Sequence, residues 1–334
     1  MRFFLFLIFA VGSLQALSKA SPQTQLVEKN IGVQTIEYQD EKRNRPVLVE
    51  LWYPTSHHGS FDESLDPAWI HPKEMRNAPL TEGLCPLIVM SHGNEGDRRD
   101  RSWLVDYLVK KGFMIASVEH HGDSWRSHEP LTNFRFWERA RDISFVITEL
   151  LKDVSLKSRI DSKRIGFIGY SLGGMTGLSL AGGKQQHVKE IILQQNAKYK
   201  LMDPKLLEEM DFSEAYSSFF EPRIKAMALL SPAVFGFTED SLQSIQIPAA
   251  IITSKGDEVL PFQEHALKVI KNLISAKVKM LRDTASHYVF LNRVSSVGKG
   301  ILRKEIQTDT IQDDRLIVHK EIGPFVADFL KENI

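Results

Sequence analysis

Apolar positions along this chain come in short bursts, and the bursts alternate between two periods. Residues 86–90 form a continuous apolar run, the kind that a parallel sheet buries on both faces. The Ser91–Gly96 stretch breaks the run. Trp103, Leu104, Tyr107 and Leu108 then recur at helical spacing until Gly112 stops them. The cycle repeats downstream. Residues 113–118 read as a strand and 120–125 as a loop. A helix is expected over about 134–151, with Trp137, Ala140, Ser144, Ile147 and Leu151 on one face. Residues 165–168 form a strand that meets a glycine-rich turn and a helical segment at 175–180. Later strands fall at 226–230, 249–253 and 278–281, and a helix carrying Leu267, Ile270 and Ile274 separates the last two. A final helix packs Phe325, Val326, Phe329 and Leu330. Upstream, residues 46–54 alternate and end at a proline, as an antiparallel or edge strand does. Residues 55–85, rich in His, Gly, Pro and Asp, read as a long loop.

Strands alternating with helices predict an α/β fold with a mostly parallel central sheet and helices on both faces. The alternation shows no linker and no repeat, so residues 26–334 are expected to form one domain. The exception is 184–222, a charged, methionine-bearing stretch that reads as an insertion or cap over the sheet.

The first residues change the picture of where the protein works. Arg2 precedes an apolar run from Phe3 to Val11, and Ser18 and Ala20 are spaced for cleavage. This is a secretory signal pattern over residues 1–20. The run is shorter than the roughly 20 residues that span a bilayer. The expectation is an exported protein, periplasmic or secreted, with no integral membrane segment in the mature chain. Residues 22–30 are polar and expected to be loose.

Composition excludes little else. The 334 residues are 43% hydrophobic and 25% charged, ordinary for a globular chain with a large core. Lys and Arg balance Asp and Glu at 42 each, so no basic face for nucleic acid is implied. The one cysteine, Cys85, rules out an internal disulfide, and its place beside an apolar strand predicts burial.

The glycine-rich turn carries the chemistry. Gly169-Tyr170-Ser171-Leu172-Gly173 lies where a strand becomes a helix, the setting of a Gly-x-Ser-x-Gly nucleophile elbow. A hydroxyl needs a base to attack at neutral pH, and the base needs an orienting acid. On an elbow the chain order is Ser, then Asp or Glu, then His. Asp257 follows the 249–253 strand at its carboxyl end, where open sheets place functional groups. His287 follows the 278–281 strand. Between Ser171 and Asp257 there is room for the insertion and two strands; between Asp257 and His287, for one helix and one strand. Glu258 is the alternative acid, and Asp257 could instead cap a helix near Pro261.

Acyl transfer also needs donors for a developing oxyanion. The backbone N–H of Leu172 and that of Asn94, in the loop after the 86–90 strand, are placed for it, with Gly93 permitting a close turn. Trp125 and Tyr170 are candidate pocket residues. The pairs His57-His58 and His120-His121 could suggest metal, but adjacent histidines on a strand face opposite ways and neither pair has ligands at zinc spacing. No metal and no cofactor are expected.

The segments Leu51-Trp52-Tyr53-Pro54, 86–93 ending in Ser91-His92-Gly93, 116–123 with Glu119-His120-His121-Gly122-Asp123, the elbow with its strand at 164–174, Arg223–Ala226, Gly256-Asp257 and Ser286-His287 carry a resemblance. They resemble the α/β-hydrolase superfamily, and within it the platelet-activating-factor acetylhydrolase-like branch, also labelled predicted dienelactone hydrolase. The resemblance spans most of the mature chain. It implies an α/β-hydrolase fold and a serine ester hydrolase acting on small or short-acyl carboxylic esters, acetylhydrolase-like on phospholipids. Two positions depart from it. Tyr170 stands where acetylhydrolases of the branch typically carry histidine. Ser171 stands where dienelactone hydrolases proper carry cysteine, which argues against dienelactone as substrate. The alternatives are a serine peptidase, which normally brings an extra domain, and a hydrolase-fold binding protein that has lost catalysis.

Overall fold

The computed structural model describes residues 30–61, 66–307 and 314–334. Residues 1–20, read above as a signal, and residues 22–29 of the polar stretch lie outside them. A nine-stranded sheet forms the centre. Its strands are β1 (Asn30–Asp40), β2 (Arg45–Thr55), β3 (Met75–Arg76), β4 (Cys85–Ser91), β5 (Met114–Glu119), β6 (Ile160–Tyr170), β7 (Ile224–Leu230), β8 (Ala249–Thr253) and β9 (Lys277–Met280). The spatial order is β9-β8-β7-β6-β4-β5-β2-β1-β3. From β9 to β5 all pairs are parallel, whereas β2 pairs antiparallel with both β5 and β1. The chain has the α/β-hydrolase fold.

The parallel strands are the continuous apolar runs, and burial on both faces explains why they do not alternate. All five residues of β8 are buried, as are the last six of β6. On one face lie α1 (Trp103–Lys110) and α6 (Asp314–Asn333), packed with Ile88, Ile168, Ala228 and Ile252. On the other lie α2 (Glu138–Lys152), α3 (Leu172–Leu180) and α5 (Ala266–Asn272), packed with Val89, Phe167, Leu229 and Ile251. Residues 184–222 carry α4 (Val188–Tyr199) and two short helical turns. Leu207, Met210 and Phe212 of that stretch join Val188, Ile192 and Trp137 in an apolar cluster distinct from those on the two sheet faces.

Several local expectations shift. The helix expected over about 134–151 is two pieces, Pro130–Phe134 and α2, and its buried face runs through Arg139, Ala140, Asp142, Ile143, Val146, Ile147 and Leu150. Ser144 and Leu151 sit at its half-buried edges. The face turned because it accommodates two charged residues that an apolar count passes over. Residues 55–85 hold two short strands, Trp69–Ile70 and β3, rather than only loop. The long β1, not expected from the sequence, alternates half-buried and exposed positions in its second half, the two-residue period of a strand with one solvated face. Cys85 opens β4 and is half-buried rather than buried.

Candidate active site

Ser171 sits at the end of β6, one residue before α3, with φ 54° and ψ −116°. That positive φ is costly for a residue with a Cβ and persists only where the surroundings hold it. Here the Ser171 N–H donates to the carbonyl of Leu230 on β7 at 2.9 Å. The flanking glycines make the sharp turn physically possible. A Cβ on Gly169 would lie 2.2 Å from the Gly173 carbonyl oxygen, and one on Gly173 would lie 2.1 Å from that of Ser91.

The structure brings the three predicted polar residues together from three strand ends. His287 Nε2 is 3.0 Å from Ser171 Oγ. His287 Nδ1 is 2.8 Å from Asp257 Oδ2. All three are buried, with Ser171 the most accessible at 8%. The other Asp257 oxygen, Oδ1, accepts N–H bonds from Val259 at 3.0 Å and Leu260 at 2.7 Å. One oxygen of the carboxylate thus closes a turn and the other meets the imidazole; no helix starts near Pro261 for Asp257 to cap, since α5 begins at Ala266. Burial pushes the Asp257 carboxyl up, but the His287 hydrogen bond and charge and the Leu260 N–H outweigh it and hold it below the usual carboxylate range. Glu258 accepts the main-chain N–H of His287 at 3.1 Å and does not meet the ring.

Tyr170 is buried, and its ring centroid lies 5.0 Å from that of His287. Its phenol donates to the His287 carbonyl at 3.0 Å. Burial and the nearby carboxylates of Asp257 and Asp100 raise its pKa well above the ordinary value, so it stays a donor. The Arg101 guanidinium lies over that ring, 5.3 Å from the centroid, and close to Asp100. Burial raises the Asp100 carboxyl to about 6 against the pull of Arg101.

Two hollows meet at Ser171. One, of about 560 Å³, is lined by His287, Tyr288, Trp125, Tyr170, Asp100 and Arg303 among others. The second, of about 450 Å³, is lined by Leu172, Met175, Phe136, Phe235 and, from the 184–222 stretch, Ile191, Ile192 and Leu201. Asn94 and Ser171 border both. Trp125 is largely exposed at the rim and stacks on Arg126, 4.2 Å from its ring centroid.

The loop after β4 rests on charges that sequence reasoning missed. Arg139 of α2 pairs with Asp123 at 2.7 Å and reaches the His92 and Gly93 carbonyls. His120 bridges Ser91 Oγ at 2.8 Å and Asp142 at 3.0 Å. Arg98 and Arg99 pair with the buried Glu50 at 3.0 and 2.8 Å. The available signal was Arg139 and Asp142 falling on the apolar stripe of a helix, since a charge there must find a partner. Among the described residues, no group of three His, Cys, Asp or Glu side chains is arranged to hold a metal ion. No helix there is long and apolar enough to cross a membrane.

Comparison with known proteins agrees with this topology. A family model described as alpha/beta hydrolase fold matches residues 86–224, from β4 through the elbow to the start of β7. The ferulic acid esterase from Streptomyces cinnamoneus has a similar structure, with a TM-score of 0.60 at 18% sequence identity, covering 94% of this chain and 92% of that one. A search of curated proteins finds no sequence match.

Proposed function

We propose that the protein is an exported serine ester hydrolase of the acetylhydrolase-like branch, acting on small or short-acyl carboxylic esters, those of phospholipids included. The observation that carries this reading is the chain of contacts Ser171 Oγ to His287 Nε2 to Asp257 Oδ2, at 3.0 and 2.8 Å, on a strained elbow. The structural likeness to a ferulic acid esterase supports ester chemistry in particular.

In this reading Ser171 Oγ attacks the ester carbonyl carbon while His287 Nε2 takes its proton. Asp257 keeps Nδ1 protonated and stabilises the imidazolium. The carbonyl oxygen becomes an oxyanion and is met by the N–H groups of Asn94 and Leu172. His287 returns the proton to the leaving alcohol, and water repeats the sequence on the acyl-enzyme. No step calls for a cofactor. The signal segment would deliver the enzyme to the periplasm or the exterior.

The two hollows divide the substrate. The leaving oxygen must receive its proton from His287 Nε2, and His287 and Tyr288 line only the larger one, which takes the alcohol. The smaller hollow beside α4, lined by Leu172 and Met175, takes the acyl group. The test is hydrolysis of p-nitrophenyl esters from acetate to long chains, with methyl ferulate added, by the mature protein and by Ser171→Ala. Turnover lost in the mutant supports the reading. Equal turnover by both, or none on any ester, sinks it.

A further inference from the structure

We propose that the buried Arg139–Asp123 ion pair is the positioning device of the oxyanion hole, setting the Asn94 N–H toward Ser171 without touching substrate. The inference rests on the Ser171 reading above and extends it to two residues outside the triad.

The loop's bonds converge on this pair. Arg139 is 1% exposed. Its Nε donates to Asp123 Oδ2 at 2.7 Å, its Nη1 to the His92 carbonyl at 2.6 Å and its Nη2 to the Gly93 carbonyl at 2.9 Å. Asp123 Oδ1 accepts the Glu95 N–H at 3.0 Å. The loop is therefore pinned immediately before and after Asn94, from opposite ends of one ion pair.

The peptide joining Gly93 to Asn94 is planar and trans, so its C=O and N–H point in opposite directions. Arg139, together with the His92 ring at 2.7 Å and the Gly96 N–H at 3.2 Å, holds the Gly93 carbonyl in the interior. The Asn94 N–H is thereby turned outward, to the side where Asn94 borders both hollows at Ser171. The same peptide lies against the nucleophile: a Cβ on Gly93 would be 3.3 Å from Ser171 Cβ and 3.0 Å from the Tyr170 ring.

The chemistry favours arginine at this place. A guanidinium donates along fixed directions from a planar fork, so one side chain can hold two carbonyls and a carboxylate at once. An ammonium is a point charge with no such geometry. Asp123 is needed because a buried cation without a counter-charge is strongly disfavoured. A loop donor that moved by even a fraction of an ångström would still permit substrate binding but would lose its grip on the oxyanion.

The experiment compares the wild type with Arg139→Lys, Arg139→Met and Asp123→Asn, and carries Ser171→Ala as the control on the reading itself. Three quantities are measured: kcat and KM on p-nitrophenyl acetate, thermal unfolding, and inhibition by an aryl trifluoromethyl ketone. Ser171 Oγ adds to the ketone carbon, its proton passes to His287, and the ketone oxygen becomes the anion that the hole must hold. The Arg139 variants are expected to lose about 10²- to 10³-fold in kcat with KM changed less than about threefold. Inhibitor affinity should fall by the same factor as kcat/KM, a correlation that a merely structural role does not produce. Asp123→Asn, which keeps the side chain's shape and its bond to Glu95, should lose about tenfold. A folded Arg139 variant with near wild-type kcat, or a loss of kcat with inhibitor affinity intact, overturns the proposal. Where neither Arg139 variant folds, Asp123→Asn carries the comparison, and full-rate turnover by it overturns the proposal. If Ser171→Ala turns over as fast as the wild type, the ester reading falls first and this inference with it.

Discussion

The Tyr170 hydroxyl donates a 3.0 Å hydrogen bond to the main-chain carbonyl of His287, so the neighbour of the elbow serine also anchors the segment that bears His287. Tyr170→Phe removes that donor and leaves a buried carbonyl short of a partner. It should cost about 1–2 kcal/mol in chemical unfolding and lower kcat by several-fold while KM stays nearly constant. An unchanged kcat would show that His287 is held in place without this bond.

Asp257 and Glu258 are adjacent, yet only Asp257 meets the imidazole. Asp257→Asn should lower kcat by about 10⁴-fold, because the amide favours the wrong ring tautomer. Glu258→Gln keeps an acceptor for the His287 main-chain N–H and should cost less than about tenfold. Reversal of the two magnitudes would reassign the acid.

The elbow tolerates no Cβ at Gly173, which would lie 2.1 Å from backbone oxygen. Gly173→Ala should destabilise by more than about 3 kcal/mol or prevent folding, an effect of packing that backbone entropy cannot offset. Gly300→Ala is the matched control, since its Cβ would meet nothing within 4 Å, and it should be neutral or slightly stabilising. Thermal unfolding of the two variants side by side checks both.

Ile191 of α4 lines the smaller hollow. Ile191→Trp should fill part of that space and suppress turnover of long-chain p-nitrophenyl esters at least tenfold relative to acetate. A uniform loss across chain lengths would place the acyl group elsewhere.

Acid should unfold the protein through its buried histidines. Burial is the main cause that lowers His120 and His319 to about 3, and it lowers His92 well below its ordinary value. In the unfolded chain each would titrate near the usual 6.5. Below that pH the unfolded state binds protons that the folded state refuses. Stability is therefore full above about pH 6.5 and is lost as pH falls toward 3, by roughly 1 kcal/mol per pH unit for each histidine. Asp100, raised to about 6, acts in the opposite sense as a single group. Urea unfolding between pH 7 and 4 should show a steadily falling midpoint. A flat profile would mean that these rings are already charged in the fold.

Much of the fold was legible before any coordinates. The strand expected over 249–253 has those bounds, and those expected over 86–90 and 226–230 lie within one or two residues of theirs, since burial on both faces leaves a one-dimensional trace; 165–168 is only the core of a strand that runs from Ile160 to Tyr170. β1 also carries a trace, the alternation of its second half against solvent, that a reading centred on continuous apolar runs passes over. The helix at 138–152 was displaced by its own Arg139 and Asp142. A count of apolar residues cannot see a stripe completed by a charge whose partners lie on other segments.

Sequence alone determined the order of Ser171, Asp257 and His287 and their places after strands, because the elbow's glycines and the strand runs are local features. Only the tertiary structure decided which carboxylate oxygen meets the ring, which hollow lies beside His287, and that Arg139 and Asp123 grip the loop at Asn94. Those relations join residues far apart in the chain. Their geometry comes from the register of neighbouring strands and the packing of a helix across them, neither of which local periodicity encodes.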